Sequence, residues 1–318
     1  MAEHLLEQVT PDQFAHIASL RSAVELADGR PIVSTEDEIA EEWVLPYVDL
    51  ARDVRVVRVD GRPVGNVFTY FLDSEEKELR CYVFGGVHPE HRGCGMGRVL
   101  MEWGVGHARA LLEARQSTLP KFVRAEALAE GDSTWRLCMR FGMEPVRWFA
   151  DLHRPTAPPL SLPPPVGFRV VPWDGARTAE LLAVKNSAFR DHWGSTPTSP
   201  EGWEQMTAGW GSSTQSSFMA LDDGGSIIGL LLSHRYESDD EVVGSRYGWI
   251  DELATLREWR GRGVASHLIM HALNEYDRRG WTHAALGVDT DNPTGAHGLY
   301  TSLGFTHWRG QVILEIAV

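Results

Sequence analysis

Two stretches of the sequence, Arg92–Arg98 and Arg260–Ser266, place arginine and glycine at a spacing that could bind phosphate. Both share the pattern Arg-x-x-Gly-x-Gly/Ala, and each lies between a predicted strand and the start of a predicted amphipathic helix. Such a turn would present free backbone N–H groups at a helix N-terminus. Glycine lets an anion come close to the backbone, and flanking arginines add positive charge. The pattern therefore predicts two phosphate-binding turns.

The two common phosphate loops do not fit these stretches. A P-loop needs a lysine followed by serine or threonine after its second glycine, and neither stretch has that lysine. A dinucleotide-binding turn needs a third glycine and a carboxylate about twenty residues farther along. After Gly261 and Gly263 the third position is Ser266, and the segment about twenty residues beyond Gly261 is Gly280-Trp281-Thr282-His283. Both types of loop are therefore excluded.

Acid and base candidates lie on either side of the later turn. Tyr300 carries a phenol whose ordinary pKa of about 10 keeps it protonated at neutral pH, so it could act as an acid. It could equally be a buried aromatic residue of its helix. Asp251 and Glu252 lie on the predicted strand before the turn, with side chains expected on opposite faces. One of them, for which we take Glu252, could act as base, or both could be solvent-facing charges.

The elements that would position these residues recur in the same order in both halves of the chain. In each half we predict a strand and helix, a hairpin, the strand that leads into the turn, the helix after it, and a further strand and helix. Three landmarks repeat at offsets of 164, 168 and 162 residues, which indicates an internal duplication. The pairs are Gly65 with Gly229, Arg92 with Arg260, and Gly142 with Gly304.

A proline-rich segment separates the two halves. Arg154–Pro165 contains six prolines, which remove backbone donors and fix φ, so the segment is predicted to be a stiff, extended linker. We therefore expect an N-terminal domain at residues 1–152, a linker at residues 153–166 and a C-terminal domain at residues 167–318.

Composition narrows the possible partners. The 318-residue chain has a formal net charge of −14, which argues against general binding to nucleic acid or to anionic lipid. Three cysteines do not make a disulfide framework, and the N-terminus lacks the pattern of a signal peptide, so we expect a cytoplasmic protein. No apolar run approaches the length of a membrane span. Lysine occurs only at Lys77, Lys121 and Lys185, which we interpret as compositional bias.

The residues downstream of the later turn carry a resemblance to a known family. The run Leu286–Phe305 contains Asn292, Ala296 and Tyr300 followed by Leu-Gly-Phe. Together with the Arg-x-x-Gly-x-Gly/Ala turn, this run resembles the GCN5-related N-acetyltransferase (GNAT) superfamily. The duplication and the proline-rich segment are similar to the tandem-GNAT type, of which mycothiol synthase is the best-known example.

The resemblance implies a fold and an activity. It implies an α/β fold (an α+β mixed sheet) of two tandem GNAT-like domains, each a mostly antiparallel sheet with a splayed central strand pair flanked by helices. It also implies an N-acetyltransferase that transfers acetyl from acetyl-CoA to a primary amine of a small molecule, by direct attack in a ternary complex. A non-catalytic acyl-CoA-binding regulatory module stays open as the alternative. We expect no nucleic acid, membrane or metal partner, and a monomer or homodimer.

The resemblance also assigns roles to residues of the C-terminal half. Tyr300 would protonate the leaving thiolate, and Glu252 would act as base. The segment Phe189–Gly194 would lie where such folds receive the acceptor, although it could instead be a helix-ending turn packed in the core. Substrate-binding candidates are Asp191, His192, Trp193 and Asp251. Cofactor-binding candidates are Leu253, Ala254, Thr255, Arg260, Gly261, Arg262, Gly263, Val264, Ala265, Ser266, Asn292 and Ala296.

The N-terminal half departs from the family pattern. When the halves are aligned by Gly142 and Gly304, Cys138 occupies the place of Tyr300, and Glu130 occupies the place of Asn292. We therefore expect this half to bind acyl-CoA or nothing, and not to catalyse. Its cofactor-binding candidates are Val87, Arg92, Gly93, Gly95, Gly97 and Arg98.

Overall fold

The computed structural model describes residues 5–43, 48–291 and 296–318, and these form two compact units. The first unit contains the described residues up to Trp148 together with Gly310–Val318. The second unit contains Phe149–Arg309, including the proline-rich segment. The last strand of each half of the sequence is thus divided: it begins in the unit of its own half and ends in the unit of the other half. The domain boundaries expected at residues 152 and 167 were inferred from the sequence repeat, and they stay a prediction.

The first unit begins with helices and continues with a sheet. A capping box formed by Thr10 and Gln13 precedes the first long helix. The elements are β1 (Leu6–Glu7), α1 (Phe14–Ala27), α2 (Glu36–Trp43), α3 (Leu50–Asp53), β2 (Val54–Val59), β3 (Arg62–Leu72), β4 (Leu79–Val87), α4 (Met96–Ala114), β5 (Lys121–Ala127), α5 (Ser133–Arg140) and the start of β6 (Glu144–Pro155).

The second unit repeats that order. Its elements are the rest of β6, then β7 (Phe168–Pro172), α6 (Thr178–Ala188), α7 (Pro200–Ala208), β8 (Phe218–Asp222), β9 (Ile227–His234), the short α8 (Asp240–Val243), β10 (Tyr247–Thr255), α9 (Val264–Arg278), β11 (His283–Asp289), α10 (Ala296–Ser302) and the start of β12 (Thr306–Ala317).

Within each unit, the strands pair in both parallel and antiparallel fashion. In the first, β1 to β5 are neighbours in order, and the end of β12, Val312–Ala317, pairs with β5. In the second, β7 to β11 are neighbours in order, and the end of β6, Phe149–Pro155, pairs with β11. All these pairs are antiparallel except β4 with β5 and β10 with β11. The expected fold class is confirmed.

The parallel strand pair of each unit separates along its length. In the second unit the parallel register joins Tyr247–Ile250 to His283–Leu286. Strand β10 continues to Thr255 beside β9, but the described part of β11 no longer pairs with it. In the first unit the register likewise joins only Leu79–Tyr82 to Lys121–Arg124. The splay leaves backbone groups at the end of β10 open on the side of β11.

Helix α9 supports the splayed strands from one face of the second sheet. Its fully buried residues recur at helical spacing, so that one stripe of the helix faces the sheet. Helix α4 buries the corresponding stripe in the first unit. Among the described residues, no helix is both long and apolar enough to cross a membrane. The buried stripe of α9 is Leu268, Ile269, Ala272, Leu273 and Tyr276.

Candidate active site

A β-bulge interrupts β10 just before its open end. Ile250 pairs with Ser233 of β9, but the next registered pair is Glu252 with Leu232. Asp251 is therefore an extra residue that β9 does not match, which is the definition of a bulge. A bulge changes the direction in which the neighbouring side chains point.

The bulge brings the two carboxylates of β10 to the same face, so the expectation that they lie on opposite faces is wrong. Asp251 Oδ2 lies 3.5 Å from Nδ1 of His234. Glu252 stands opposite Leu232, which is two residues from His234 and shares its face. The alternation used for the prediction holds only where both strands advance residue by residue.

Glu252 is enclosed and only partly paired. Its side chain is 13% exposed, and Oε1 lies 3.8 Å from Nζ of Lys185. Its Oε2 atom is buried and has no hydrogen-bond partner among the described residues. Burial raises the pKa of this carboxyl to about 7, helped by the negative charge of Asp251 and opposed by the ammonium of Lys185. A carboxylate with a pKa near neutrality suits proton transfer at physiological pH.

The open end of β10 supplies backbone donors next to Glu252. Leu253, Ala254 and Thr255 pair with β9 along one edge of the strand. Backbone N–H groups of a strand alternate between its two edges, so those on the other edge point toward the gap beside β11. The Thr255 hydroxyl is also buried without a hydrogen-bond partner in the described part of the chain.

The turn that follows β10 ends in an uncapped helix N-terminus. Gly261 and Gly263 have φ values of 74° and 82°, a left-handed conformation that favours glycine. Gly263 is the N-cap of α9 and has no side chain with which to cap it. The N–H groups of Val264, Ala265 and Ser266 therefore stand free of helical carbonyl partners. The guanidinium of Arg262 lies 4.9 Å from the centre of the Trp259 ring.

Arg260 fixes the turn rather than projecting away from it. Its Nε donates to the carbonyl of Thr255 at 3.3 Å, and its Nη2 donates to the carbonyl of Ala188 at 2.8 Å. These bonds tie the turn to the end of β10 and to the end of α6. Arg92 of the first unit likewise donates from Nε to the carbonyl of Val87, at 3.0 Å.

Tyr300 lies on α10 and is largely buried. Only 8% of the residue is exposed, and its ring packs edge-on against Phe305 with 6.1 Å between centres. Burial raises the pKa of the phenol to about 12, so that it stays protonated and can donate a hydrogen bond. Asn292 lies outside the described residues, and for Ala296, the first residue of α10, only the backbone is described.

The predicted acceptor segment follows α6. Asp191 is paired with Arg257 at 3.4 Å, at the start of the phosphate-type turn. The backbone N–H of His192 donates to the carbonyl of Phe189 at 2.9 Å. The ring of Trp193 packs against that of Phe149, with 6.3 Å between centres. The structure thus brings Asp191 to the turn.

Two features were missed by the sequence analysis. One is the buried Lys185, which had been attributed to compositional bias. The other is a stack of aromatic rings from four strands, with 4.9 Å between the centres of Tyr247 and Trp308 and 5.2 Å between those of His153 and Trp308. His283 stacks on Tyr247 at 4.9 Å. Nothing in the local sequence indicates that these strands become neighbours.

The first unit has the same backbone frame but different side chains. Gly65 pairs with Val87, as Gly229 pairs with Thr255. The residue three positions after the glycine is Phe68 in the first unit and Leu232 in the second. Phe68 is paired with Phe84, whereas Leu232 is paired with Glu252. The position of Tyr300 is taken by Cys138, a buried thiol whose pKa is raised to about 12 by burial. The first unit thus lacks both the carboxylate and the phenol.

The phosphate-type turn of the first unit is nevertheless complete. Gly93 and Gly95 have φ values of 81° and 89°, and Gly95 is the N-cap of α4. Gly97 and Arg98 lie in the first turn of that helix. The guanidinium of Arg92 also forms two hydrogen bonds with the carboxylate of Asp28, at 2.6 and 2.9 Å.

Comparison with known proteins identifies this arrangement. The model of the family described as "Acetyltransferase (GNAT) family" matches residues 180–305, which include the turn, Glu252 and Tyr300. The chain is 30% identical to a mycothiol acetyltransferase of Frankia alni over 92% of this chain and 91% of that protein. It is 27% identical to a mycothiol acetyltransferase of Thermobifida fusca over 98% and 97%. The chain belongs to the acetyltransferase (GNAT) family.

Solved structures agree with this assignment. A GCN5-related N-acetyltransferase from Sphaerobacter thermophilus superposes with a TM-score of 0.76 and 26% identity, covering 100% of this chain and 96% of that chain. A tandem GNAT protein from the clavulanic acid biosynthesis pathway superposes with a TM-score of 0.74 and 17% identity, covering 99% and 98%, and shows the fold. The predicted tandem-GNAT resemblance and acyltransferase activity are confirmed: this GNAT protein transfers an acetyl group to an amine. Acetyl-CoA is the donor of GNAT acetyltransferases.

The variant Glu252→Gln is expected to gain stability relative to the parent as the pH rises from about 5 to about 8. The folded protein binds the Glu252 proton more tightly than the unfolded chain, because the folded pKa is about 7 and the ordinary value is 4.5. Below the unfolded pKa, Glu252 is protonated in both states and its ionisation does not affect the free energy of unfolding of the parent. As the pH rises through this window, ionisation lowers that free energy by up to about 3 kcal/mol. Urea unfolding at several pH values measures the difference.

The matched control is Glu258→Gln, which removes an exposed carboxylate from the following turn. A difference in unfolding free energy between Glu252→Gln and the parent that stays constant across the pH range would contradict the burial described for Glu252.

Proposed function

We propose that the second unit catalyses transfer of an acetyl group from acetyl-CoA to the primary amine of a small molecule, by direct attack in a ternary complex. The observation that carries the proposal is the enclosed carboxylate of Glu252 at the splayed, bulged end of β10. Open backbone donors of β10 lie beside it, and an uncapped helix N-terminus follows. The cytoplasmic location predicted from the sequence belongs to this proposal and is supported by three free cysteines.

The residues of the turn fit a phosphorylated cofactor. Free N–H groups at the start of α9 and the positive end of its dipole suit a pyrophosphate group. Residues Arg260 to Ser266 would hold it, with Arg260 acting by fixing the shape of the turn. Asn292 and Ala296 are assigned to the same cofactor because of the family pattern. When bound, acetyl-CoA supplies a thioester whose acetyl carbon reacts with an amine.

The open edge of β10 suits the thioester carbonyl. Backbone N–H groups of Leu253–Thr255 that face the gap beside β11 would donate hydrogen bonds to the oxygen on which negative charge develops. Preorganised donors of this kind lower the barrier because they need no rearrangement during the reaction.

Glu252 is the proposed base, and its free Oε2 is the proposed proton acceptor. A primary amine is mostly an ammonium ion at neutral pH and must lose a proton before it can attack. Asp251, Asp191, His192 and Trp193 are assigned to the acceptor site, where carboxylates favour a cationic amine.

Tyr300 is the proposed acid. Its phenol stays protonated because burial raises its pKa, and it would donate a hydrogen bond to the leaving sulfur. The first unit, with Phe84 and Cys138 at the corresponding positions, is proposed to be non-catalytic. A small-molecule acceptor is supported by the relatives named mycothiol acetyltransferase.

The variants Glu252→Gln and Tyr300→Phe are expected to lower kcat by about a hundredfold or more, because each removes a group that moves or donates a proton. The affinity for acetyl-CoA should stay within about twofold of the parent, since neither side chain is assigned to the phosphate turn. Thiol release with amino sugars, amino acids and polyamines as acceptors measures turnover, and calorimetry measures acetyl-CoA binding. In the parent, kcat/KM should rise with pH toward a plateau, with a midpoint near 7 set by Glu252.

Cys138→Ala is the control, because it alters the first unit at the position that corresponds to Tyr300. It should leave turnover unchanged. If Tyr300→Phe were fully active with every accepted amine, the phenol would not be the acid. If Cys138→Ala lost activity without unfolding, the proposal that the first unit is non-catalytic would be contradicted.

The matched variants Gly263→Ala and Gly95→Ala distinguish the two turns. Each adds a methyl group at a residue with φ near +85°, a conformation that strains alanine and should displace the turn. Gly263→Ala is expected to raise KM for acetyl-CoA by about tenfold or more, whereas Gly95→Ala should leave KM and kcat unchanged. Steady-state kinetics at fixed acceptor concentration measures both. Equal losses in the two variants would count against assigning the working cofactor site to the second unit.

A further inference from the structure

Lys185 is a buried cation in the last turn of α6. Its side chain is 8% exposed, and its ammonium donates a hydrogen bond to Oγ1 of Thr198. The same ammonium lies 3.8 Å from Oε1 of Glu252 and 5.5 Å from the centre of the Phe189 ring. A buried ammonium is costly unless negative charge and hydrogen-bond acceptors surround it, so these contacts account for its place in the fold.

A second contact, the hydrogen bond to Thr198, also holds the ammonium of Lys185. Thr198 is held to α6 by two bonds, since its N–H donates to Oδ1 of Asn186 at 2.9 Å and its carbonyl accepts from Nδ2 of Asn186 at 3.0 Å. The hydroxyl that binds Lys185 therefore belongs to a loop that α6 itself anchors. Lys185 is thus held by a contact that does not involve Glu252.

The two oxygens of Glu252 consequently have different surroundings. Oε1 faces Lys185, while Oε2 is buried without a partner among the described residues. Among the described residues, the charged groups that act on this carboxylate are Lys185 from α6 and Asp251 from β10 itself. Leu232 of β9 stands opposite Glu252, and His234 of β9 lies against Asp251. Lys185 is therefore the cation that contacts Glu252, whereas His234 contacts Asp251.

We propose that Lys185 is a positioning residue that holds Glu252 in its ionised form and keeps Oε2 available to accept the proton of the acceptor amine. This inference rests on the proposed function of Glu252 as base. The proton passes from the ammonium of the acceptor to Oε2, and Lys185 keeps its own protons. The C–N bond then forms and the C–S bond breaks as Tyr300 gives its proton to the leaving sulfur. The acetylated nitrogen loses its second proton to solvent, the phenolate of Tyr300 regains a proton from solvent, and Glu252 releases its proton to solvent, so that one proton is released per turnover.

The geometry agrees with the direction of the electrostatics. Burial and Asp251 both favour the protonated carboxyl, and the ammonium of Lys185 opposes them. Without that ammonium the pKa of the carboxyl would be higher, and less of it would be ionised at neutral pH. On this proposal Lys185 extends the activity of the enzyme toward lower pH.

The test compares Lys185→Met, which keeps the length of the side chain and removes the charge, with Lys185→Arg, which keeps the charge. The measured quantity is kcat/KM as a function of pH with an accepted amine. In Lys185→Met the rising limb should move toward alkaline pH by about one unit or more, so that activity falls about tenfold at neutral pH and largely recovers at high pH. Lys185→Arg should keep the midpoint of the parent.

Two results would overturn the inference. One is a loss of activity in Lys185→Met that is the same at every pH, with an unmoved limb, because that pattern reports only structural damage. The other is unchanged kinetics in Lys185→Met. The proposed function is tested separately by Glu252→Gln. If that variant retained both turnover and the rise of kcat/KM with pH, Glu252 would not be the base, whatever Lys185→Met showed. Thr198→Val, which removes the hydroxyl that anchors Lys185, should shift the limb in the same direction by a smaller amount.

Discussion

The bulge at Asp251 is the feature on which the proposed active site of the second unit depends. It occurs where β10 leaves its parallel partner, so the strand is paired on one edge and open on the other. The inserted residue turns the next side chain, that of Glu252, into an enclosed position beside α6. Open backbone donors and a buried carboxylate are each costly alone. Placed together, they make a site that can hold a carbonyl oxygen and accept a proton.

The duplicated architecture separates what the backbone provides from what the side chains provide. Both units have a splayed parallel pair, left-handed glycines in the turn and an arginine that binds the end of the preceding strand. Of the two units, the second has a carboxylate and a phenol at the two corresponding positions, Glu252 and Tyr300. Phe84 and Cys138 fill the corresponding positions with uncharged groups that need no partner. On the proposed assignment, the shared backbone frame binds the cofactor, and the side chains of the second unit carry out the chemistry.

The sequence predicts well whatever depends on local patterns. Glycines with positive φ, a helix that begins at Gly263 and the repeated order of elements could all be inferred from spacing, and the fold class followed from the resemblance. Long-range features could not be predicted. The bulge depends on how β9 and β10 pair, so strict alternation misplaced Asp251. Lys185 is one of three lysines in the chain and has no motif of its own. The exchange of final strands between the units likewise leaves no local signal.

Burial beside the bulge is proposed to make Glu252 a base suited to neutral pH. The most direct test is a pH titration of the parent protein with carbon-13 in its glutamate carboxyl groups, followed by NMR, with Glu252→Gln used to assign the resonance. The account predicts that the Glu252 carboxyl titrates with a midpoint near 7, well above its ordinary value of 4.5. A midpoint at or below the ordinary value would show an ion-paired surface carboxylate and would contradict the account.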